Sequence, residues 1–483
     1  MTISTAVTVK IGDLEVPGVQ APVDFTDRTM GLSTELAADI GEIGAAQCRI
    51  TLDNTDGALT PGGGSTYSSW DWHSKAIFID ATVGAHTATI FHGLLTDFEL
   101  DDDGVNSFVT IRGNDFMTVG GRAVQTQQAE YGFSVLVGDA ITFTFDRTLV
   151  DFGSGPVLDF SGVPMPQWGL QYKFTFVKEY PLRTDADTGA DPYVTGDERV
   201  ASDWLQTAVM PFGPAVAWPT RIYASGPTFP VPQYTTARYE FYSMSHSLVT
   251  ETRYTYKFAE NTASGELPFR NLQRGWTVDE LITKAKITGV AAKFTGSSTH
   301  TAEVTNTDAE SLYGERAITY TDIMLSDGLA VEGGADGQAQ RIAERYANAR
   351  SRSEFVVQQL QVTSKMCDAA VGASSASEQA WAELLDTFSG MWQVATVEFT
   401  PAGTATTITE PVIIWGRRID ATPDDVRVTL SFYPIQYTCA FLLDDPILGV
   451  LGGTLDTYDD ATFTYDAGLL RYNGRPEYGM TLG

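Results

Sequence analysis

Residues 90–113, IFHGLLTDFELDDDGVNSFVTIRG, read as two strands joined by an acidic turn. Phe98 and Leu100 alternate with polar neighbours before the turn, as do Val109 and Ile111 after it. A side-chain period of two is typical of an antiparallel pair with one buried face. The DDDG segment between them is predicted to form the turn, because short carboxylates and glycine tolerate its backbone angles.

A second segment near the other end of the chain repeats this pattern: residues 413–432, IIWGRRIDATPDDVRVTLSF. The repeat predicts an internal duplication, in which one chain carries the same β-unit twice and supplies two quasi-equivalent subunits to a ring. We expect the two acidic turns to lie at equivalent points of the two units. The matched positions are Gly93 and Asp97 with Gly416 and Asp420, Asp101 to Asp103 with Asp424 and Asp425, and Val109 to Ile111 with Val428 to Leu430.

Composition indicates a folded protein of more than one domain. The chain has 483 residues, 43% of them hydrophobic and 19% charged, and a single core rarely supports so long a chain. Its 45 glycines and recurrent Val, Thr, Tyr and Phe favour turns and strands over helices.

The charge of the chain argues against a site that grips nucleic acid. There are 61 acidic and 31 basic residues, for a formal net charge of −30, whereas phosphate binding needs clustered Lys and Arg. An acidic surface does suit a channel that DNA must pass without sticking, because like charges repel. A generally acidic surface with no such role is the alternative.

Cysteines and termini carry no sign of a metal site, secretion or a membrane span. Cys48, Cys367 and Cys439 are widely spaced and are expected to be reduced core residues, because no CxxC or Cys/His cluster accompanies them. The N-terminus lacks a signal-peptide pattern, and no apolar run is long enough to cross a bilayer.

The order of several motifs resembles the baseplate-hub type of minor tail protein of long-tailed phages, especially those that infect actinobacteria. The N-terminal motifs are TLDNTDGALTP (51–61), IFHGLLTDFE (90–99) and VTIRGNDFM (109–117). The later motifs are WTVDELITKAKITGV (276–290), DAESLYGERAITY (308–320) and LLDDPILGVLGG (442–453). The second of these is one residue shorter than the Ser-x-x-x-Tyr-Gly-x-Arg element of that family.

The predicted fold is mainly β with α+β insertions, as two tube-like β-barrel domains flanking accessory domains. We expect tube-like domain I at 1–125, a loop- and aromatic-rich insertion at 126–240, an α+β middle domain at 241–370, tube-like domain II at 371–440 and a C-terminal arm at 441–483.

Three helices are predicted from apolar residues at helical spacing. They are residues 200–210, capped by Asp197 with Trp204 and Leu205 inward; a helix capped by Asp336 with Ala339, Ile342, Ala343, Tyr346 and Ala347 inward; and a helix opened by Ser377 with Trp381, Leu384, Leu385 and Phe388 inward.

No motif for catalysis or cofactor binding is found, and no catalytic, cofactor-binding or metal-binding residue is assigned. The nearest dinucleotide fingerprint, Gly153-Ser154-Gly155, has Leu158 where the third glycine belongs. The acidic turns at Gly57 and Gly104 fail the EF-hand pattern, because Leu52 takes the first ligand position of one and Thr110 the twelfth of the other. The five histidines lack metal-ligand spacing: His73, His86, His92, His246 and His300.

The resemblance implies a structural virion protein at the tail tip. It implies a homotrimer whose six tube-like domains match a sixfold tail tube, since two domain types per chain let three chains close such a ring. The implied partners are its own copies, the distal tail protein, the tape measure protein, tail fibres or other tail-tip proteins, and genomic DNA passing without specific binding. No cofactor is implied.

Two other functions stay open. One is a hexameric distal tail ring protein with one tube domain per chain. The other is a tail-borne polysaccharide or cell-wall hydrolase with its activity in residues 126–270, whose aromatic residues would stack on sugar rings. Two acidic residues distant in sequence would then converge as the catalytic pair.

Overall fold

The structure is a computed structural model of the chain. It describes residues 3–12, 22–36, 45–115 except 63, 73–74 and 103–105, 256–275, 281–325 except 294–295, 334–349, and 356–434 except 371, 388 and 392. From 116 to 255 and from 435 to the end it describes short strands alone.

The fold is mainly β, as predicted, and its centre is one 13-stranded sheet. The N-terminal part of this sheet is made by β1 (Thr5–Gly12), β2 (Val23–Asp24), β3 (Thr29–Leu36), β4 (Gln47–Asp53), β5 (Ala76–Val83), β6 (His86–Asp102) and β7 (Ser107–Asn114). A short 3-10 helix, Thr26–Arg28, lies between β2 and β3.

Short strands follow in the aromatic-rich stretch: β8 (Ala129–Tyr131), β9 (Gln171–Lys173), β10 (Tyr193–Thr195), β11 (Ala215–Ala217), β12 (Arg221–Ala224) and β13 (Tyr234–Ser243). Strands β8 and β10 pair with each other, while β13 pairs with β9, β11 and β12. The predicted helix at 200–210, with Asp197, Trp204 and Leu205, lies outside the described residues.

The second part of the large sheet is assembled from distant segments of the chain. It contains β14 (Tyr256–Ala259), β15 (Arg270–Gly275), β19 (Val356–Thr363), β20 (Val394–Phe399), β21 (Ile408–Thr422) and β22 (Asp425–Pro434). The buried residues of both parts form one continuous apolar core.

A small α+β layer is inserted between β15 and β19. Strand β16 (Lys284–Lys293) lies between β17 (Gly296–Thr305) and β18 (Ala317–Leu325), and helix α1 (Thr307–Tyr313) connects the last two. Helix α2 (Gly334–Ala349) covers this sheet. The predicted inward face of α2 is confirmed, since Ala339, Ile342, Ala343, Tyr346 and Ala347 are all buried. Asp336 is no N-cap: it lies inside the first turn, where its carboxylate contacts His300 Nδ1 at 2.7 Å.

Two helices lie between β19 and β20: α3 (Ser364–Ala369), which the sequence analysis missed, and α4 (Ser375–Leu385). The prediction that α4 begins at Ser377 was wrong by two residues, because the helix begins at Ser375. Ser374 is the N-cap, and its hydroxyl accepts a hydrogen bond from the Ser377 amide at 3.2 Å. The predicted buried stripe is confirmed for Trp381, Leu384 and Leu385, whereas Phe388 lies outside the described residues.

The C-terminal stretch contributes a three-stranded sheet: β23 (Phe463–Asp466), β24 (Leu469–Tyr472) and β25 (Arg475–Thr481). Among the helices that the structure describes, none is long and apolar enough to cross a membrane.

Candidate assembly surface

The large sheet contains two six-stranded units with the same connectivity. In unit I the strands lie side by side in the order β3-β4-β7-β6-β5-β1, and in unit II in the order β15-β19-β22-β21-β20-β14. Numbered along the chain within each unit, both orders read 2-3-6-5-4-1. The units differ in the direction of their first strand, because β1 runs antiparallel to β5 whereas β14 runs parallel to β20.

The two long hairpins carry the same irregularity. Strand β6 has one extra residue, Thr96, opposite β7, and β21 has one extra residue, Trp415, opposite β22. Such a bulge fixes the register of the strands on either side. The residue before each bulge bonds in the same way: Leu95 donates its amide to the Lys75 carbonyl, and Ile414 to that of Gln393, the residues that precede β5 and β20.

Counting from the bulges gives the residue correspondence of the units. The outgoing strands align as predicted, since Val109 faces Leu100 and Val428 faces Ile419, each four residues beyond its bulge. The predicted match of Gly93 and Asp97 with Gly416 and Asp420, in the first strand of each hairpin, was wrong. Counted from the bulges, Asp97 corresponds to Gly416. Gly93 is needed for another reason: a Cβ there would lie 2.4 Å from the Asn114 carbonyl oxygen.

Acidic residues lie at the turn end of both hairpins, but the predicted residue match was wrong, because Asp101 corresponds to Asp420 and Asp425 corresponds to Asn106. Asp101 and Asp102 belong to the last turn-side pairs of β6, and Asp103 lies outside the described residues. In the second hairpin Thr422 pairs with Asp425, which leaves Pro423 and Asp424 as the turn. Asp101, Asp102 and Asp425 are therefore strand residues and not turn residues.

Units I and II join through continuous β-pairing. The half of β21 beyond the bulge pairs antiparallel with β3, the second strand of unit I. In this register Arg418 faces Glu35 and Ile419 faces Thr34. The pairing buries the apolar side chains at the junction, which include Leu32, Leu36, Ile419 and Ala421.

Helix α4 makes a second contact between the units. It lies in the connection between the third and fourth strands of unit II, yet it contacts the β5–β6 turn of unit I. Glu378 accepts a hydrogen bond from the Ala85 amide at 3.1 Å, and Trp381 Nε1 donates to Thr5 Oγ1 at 3.0 Å. At the other end of α4, the buried Arg417 of β21 donates to the carbonyls of Leu384 (2.9 Å) and Asp386 (2.6 Å). The helix therefore fixes one unit against the other.

In unit I a loop of aromatic residues takes the place of α4. Residues 54–75 connect β4 to β5, and in this loop Trp70 lies 4.8 Å from Tyr67 and 5.2 Å from Trp72, between ring centroids. Trp72 in turn contacts Phe98 of β6 at 4.8 Å. Trp72 is buried, whereas Tyr67, Trp70 and Phe98 are only partly covered.

The start of this loop is held by a buried asparagine and an ion pair. Asn54 accepts a hydrogen bond from the Leu59 amide at 2.7 Å and donates to the hydroxyls of Thr60 (3.0 Å) and Ser107 (2.9 Å). Arg28 contacts Asp56 at 2.5 Å, and the bonds from this guanidinium lower the pKa of Asp56 to about 2. The predicted turn at Gly57 is thus an internally bonded loop.

The histidines and cysteines that the sequence singles out are spread over the fold. His92 contacts Asp80 at 3.1 Å and His300 contacts Asp336, while His86 begins β6. Cys48 and Cys367 are free and buried, and burial raises the pKa of both thiols. Among the described residues, no group of three His, Cys, Asp or Glu side chains is placed to hold a metal ion. Outside the described residues lie His73, His246, Cys439 and the Gly153–Leu158 segment.

No protein-family profile matches the sequence, and neither does any curated protein. Solved structures with a similar fold include the tail protein from Neisseria meningitidis MC58, with a TM-score of 0.49 and 11% identity over 90% of this chain and 98% of that one. A prophage MuSo2 43 kDa tail protein from Shewanella oneidensis has a TM-score of 0.47 and 9% identity over 89% and 99%.

The E. coli c3393 protein, described as a component of the type VI secretion system with structural similarity to T4 bacteriophage tail proteins gp27 and gp5, has a TM-score of 0.40. It is 14% identical over 88% of this chain and 77% of that one. At these identities and scores the likenesses do not assign the chain to a family.

Proposed function

We propose that this chain is a structural subunit of the tail-tip, or baseplate, hub of a long-tailed phage of the actinobacteriophage type, and is not an enzyme. In this proposal three copies form a pseudo-sixfold ring that ends the tail tube and lets DNA pass. The observation that carries the proposal is the pair of equivalent β-units in one sheet. A chain that folds the same unit twice presents six units per trimer, which matches a sixfold tube.

The acidic character of the chain supports the proposed passage of DNA. With a net charge of −30, a trimer carries a strongly negative field that opposes adhesion of phosphate groups. The proposed location is the tip of the virion tail. The proposed neighbours are the distal tail protein, the tape measure protein, and tail fibres or other tail-tip proteins.

The domain boundaries stay part of the proposal. We propose that the tube-like domains correspond to units I and II. Unit II then takes β14, β15 and β19 in addition to the predicted 371–440 segment, and the α+β layer of residues 281–349 is an insertion within it.

Native mass spectrometry and electron microscopy of the purified full chain test this function. We expect a trimer that appears as a ring of six lobes around a channel, and antibodies against the chain should label the distal end of the phage tail. A hexameric ring would favour the distal tail ring protein. Release of sugars from host wall or capsule polysaccharide would favour the hydrolase, and this assay covers the 126–270 region directly.

A further inference from the structure

Units I and II join through two contacts. Because the units are equivalent, each contact has a counterpart in which the roles of the two units are exchanged. Within the chain, the second strand of unit I pairs with the outer half of the fifth strand of unit II. The turn between the fourth and fifth strands of unit I contacts the connection between the third and fourth strands of unit II. Exchanging the units gives a second set of contacts, which one chain cannot make with itself.

The strand edges of this second set have no pairing partner within the part of the chain that the structure describes. The half of β6 beyond its bulge, residues 97–102, pairs with β7 on one side only. Strand β15 pairs with β19 on one side only and ends the large sheet. Unpaired edges of this kind recruit another strand.

Side chains at the internal junction are more buried than the equivalent side chains on the two unpaired edges. Ile419 is 0% exposed because β3 lies alongside β21, whereas its counterpart Leu100 is only partly buried. On the other edge, Leu32 and Leu36 of β3 are buried, whereas Leu272 of β15 is only partly buried. A strand placed along each edge would complete the burial that the internal junction already has.

The two unpaired strand edges have opposite charge. The outer half of β6 carries Asp97, Glu99, Asp101 and Asp102, and β15 carries Arg270 and Arg274. Part of this charge is balanced within the chain, because Arg112 pairs with Asp97 and Glu99, and Arg274 pairs with Glu410. At the internal junction the signs are reversed, with Arg418 on β21 facing Glu35 on β3. The two junctions therefore share a geometry but differ in charge, which disfavours mispairing of one kind of edge with the other.

The loop and the turn that would form the other contact of this second set are partly or mostly exposed. The aromatic loop 54–75 takes the place of α4 and leaves Tyr67 and Trp70 partly uncovered. The turn between β20 and β21, residues 400–407, takes the place of the β5–β6 turn, and most of it is exposed.

We propose that a second copy of this chain docks head to tail on these surfaces, with β15 of one copy antiparallel to residues 97–102 of β6 in the next. The 400–407 turn of the first copy then covers the aromatic loop 54–75 of the next. This inference rests on the proposed trimeric hub and specifies its chain-to-chain junction. The contact is heterologous, and such a contact forms a ring when the rotation between copies closes, as the proposed trimer requires.

The internal junction also sets the register. Asp420 faces Ser33 at that junction. The bulge count makes Asp101 the counterpart of Asp420. Gln273 faces Gln359, and Ser33 faces Arg49. These two residues directly precede Leu360 and Ile50, which are equivalent because they face the equivalent Leu430 and Ile111. Gln273 is therefore the counterpart of Ser33. We therefore expect Asp101 of one copy to face Gln273 of the next, at a Cα separation of about 5 Å, which suits a disulfide.

Cysteine cross-linking of the full chain tests this register. In a Cys439→Ser background, in which Cys48 and Cys367 are buried, the double variant Asp101→Cys/Gln273→Cys should oxidise to a covalent trimer. A mixture of the two single variants should stop at a covalent dimer. The matched control Ser33→Cys/Asp420→Cys should cross-link within one chain and leave its mass unchanged.

The outcomes separate the junction from the proposed function. A trimer by native mass spectrometry with no Asp101–Gln273 cross-link would overturn the junction and leave the hub intact. A monomer or a hexamer would overturn the hub. Dimers formed by either single variant alone would show a symmetric contact and would also overturn the junction.

A charge reversal gives a second measurement that does not depend on disulfide geometry. Arg270 is exposed on β15, and Arg270→Glu should weaken trimer formation at least about tenfold in dissociation constant, because the facing edge of the next copy is acidic. A dissociation constant that this substitution leaves unchanged would contradict the pairing of these edges.

Discussion

Asn54 shows how one buried side chain sets the shape of a loop. It is 0% exposed, and its amide bonds the Leu59 backbone and the Thr60 and Ser107 hydroxyls. We predict that Asn54→Ala lowers the free energy of unfolding by about 1–3 kcal/mol, because it leaves the Leu59 amide without its acceptor. Urea unfolding followed by tryptophan fluorescence measures this loss. The exposed Thr66→Ala in the same loop is the control, and an equal loss there would contradict the role of Asn54.

The ion pair beside this loop gives a pH dependence of known sign. The pKa of Asp56 is lowered to about 2 by hydrogen bonds from Arg28, from about 3.9 in an unfolded chain. Its stabilising contribution is therefore complete above about pH 4 and is lost as the pH falls towards 2. We predict that the difference in melting temperature between the natural chain and Asp56→Asn shrinks over this interval. A difference that stays constant from pH 5 to pH 2 would contradict the assignment.

At the scale of elements, helix α4 depends on a cap that periodicity did not reveal. Apolar spacing predicted its inward stripe, but the three serines Ser374, Ser375 and Ser377 precede that stripe and spacing does not choose among them. The hydrogen bond from the Ser377 amide identifies Ser374 as the cap. We predict that Ser374→Ala costs about 0.5–2 kcal/mol of stability, whereas exposed Ser375→Ala costs less than about 0.5 kcal/mol. Thermal unfolding of the two variants compares them, and equal losses would contradict the cap.

The hairpins show the same limit of sequence analysis. Alternation in residues 90–113 and 413–432 predicted four strands, and all four exist. The match of Gly93 with Gly416 was wrong because a one-residue bulge shifts the register, and nothing in the local composition of Thr96 or Trp415 marks an extra residue. The duplication was predicted from single hairpins, yet its firmest support is the shared order of six strands. Three of the unit II strands, β14, β15 and β19, pair only with distant segments, and such pairing leaves no local pattern.

At the scale of the whole molecule, the two junctions of the proposed ring share a geometry, but the partner strand belongs to the same chain in one and to another copy in the other. Leu100 and Ile419 occupy equivalent positions, yet Ile419 is 0% exposed and Leu100 is partly buried. The same substitution at the two sites should therefore have different consequences. Ile419→Thr should cost about 2–4 kcal/mol in unfolding free energy, because it removes apolar contacts and buries a hydroxyl.

Leu100→Thr should lower the melting temperature of the dilute, dissociated chain less than Ile419→Thr does, because Leu100 is only partly buried there. It should also raise the dissociation constant of the trimer at least about tenfold, because its partner strand comes from another copy. Thermal unfolding at low concentration and analytical ultracentrifugation over a concentration series separate the two effects. If Leu100→Thr destabilised the isolated chain as much as Ile419→Thr does, position 100 would be complete within one chain. Residues 97–102 would then be an ordinary hairpin edge, and ring closure would have to use another surface.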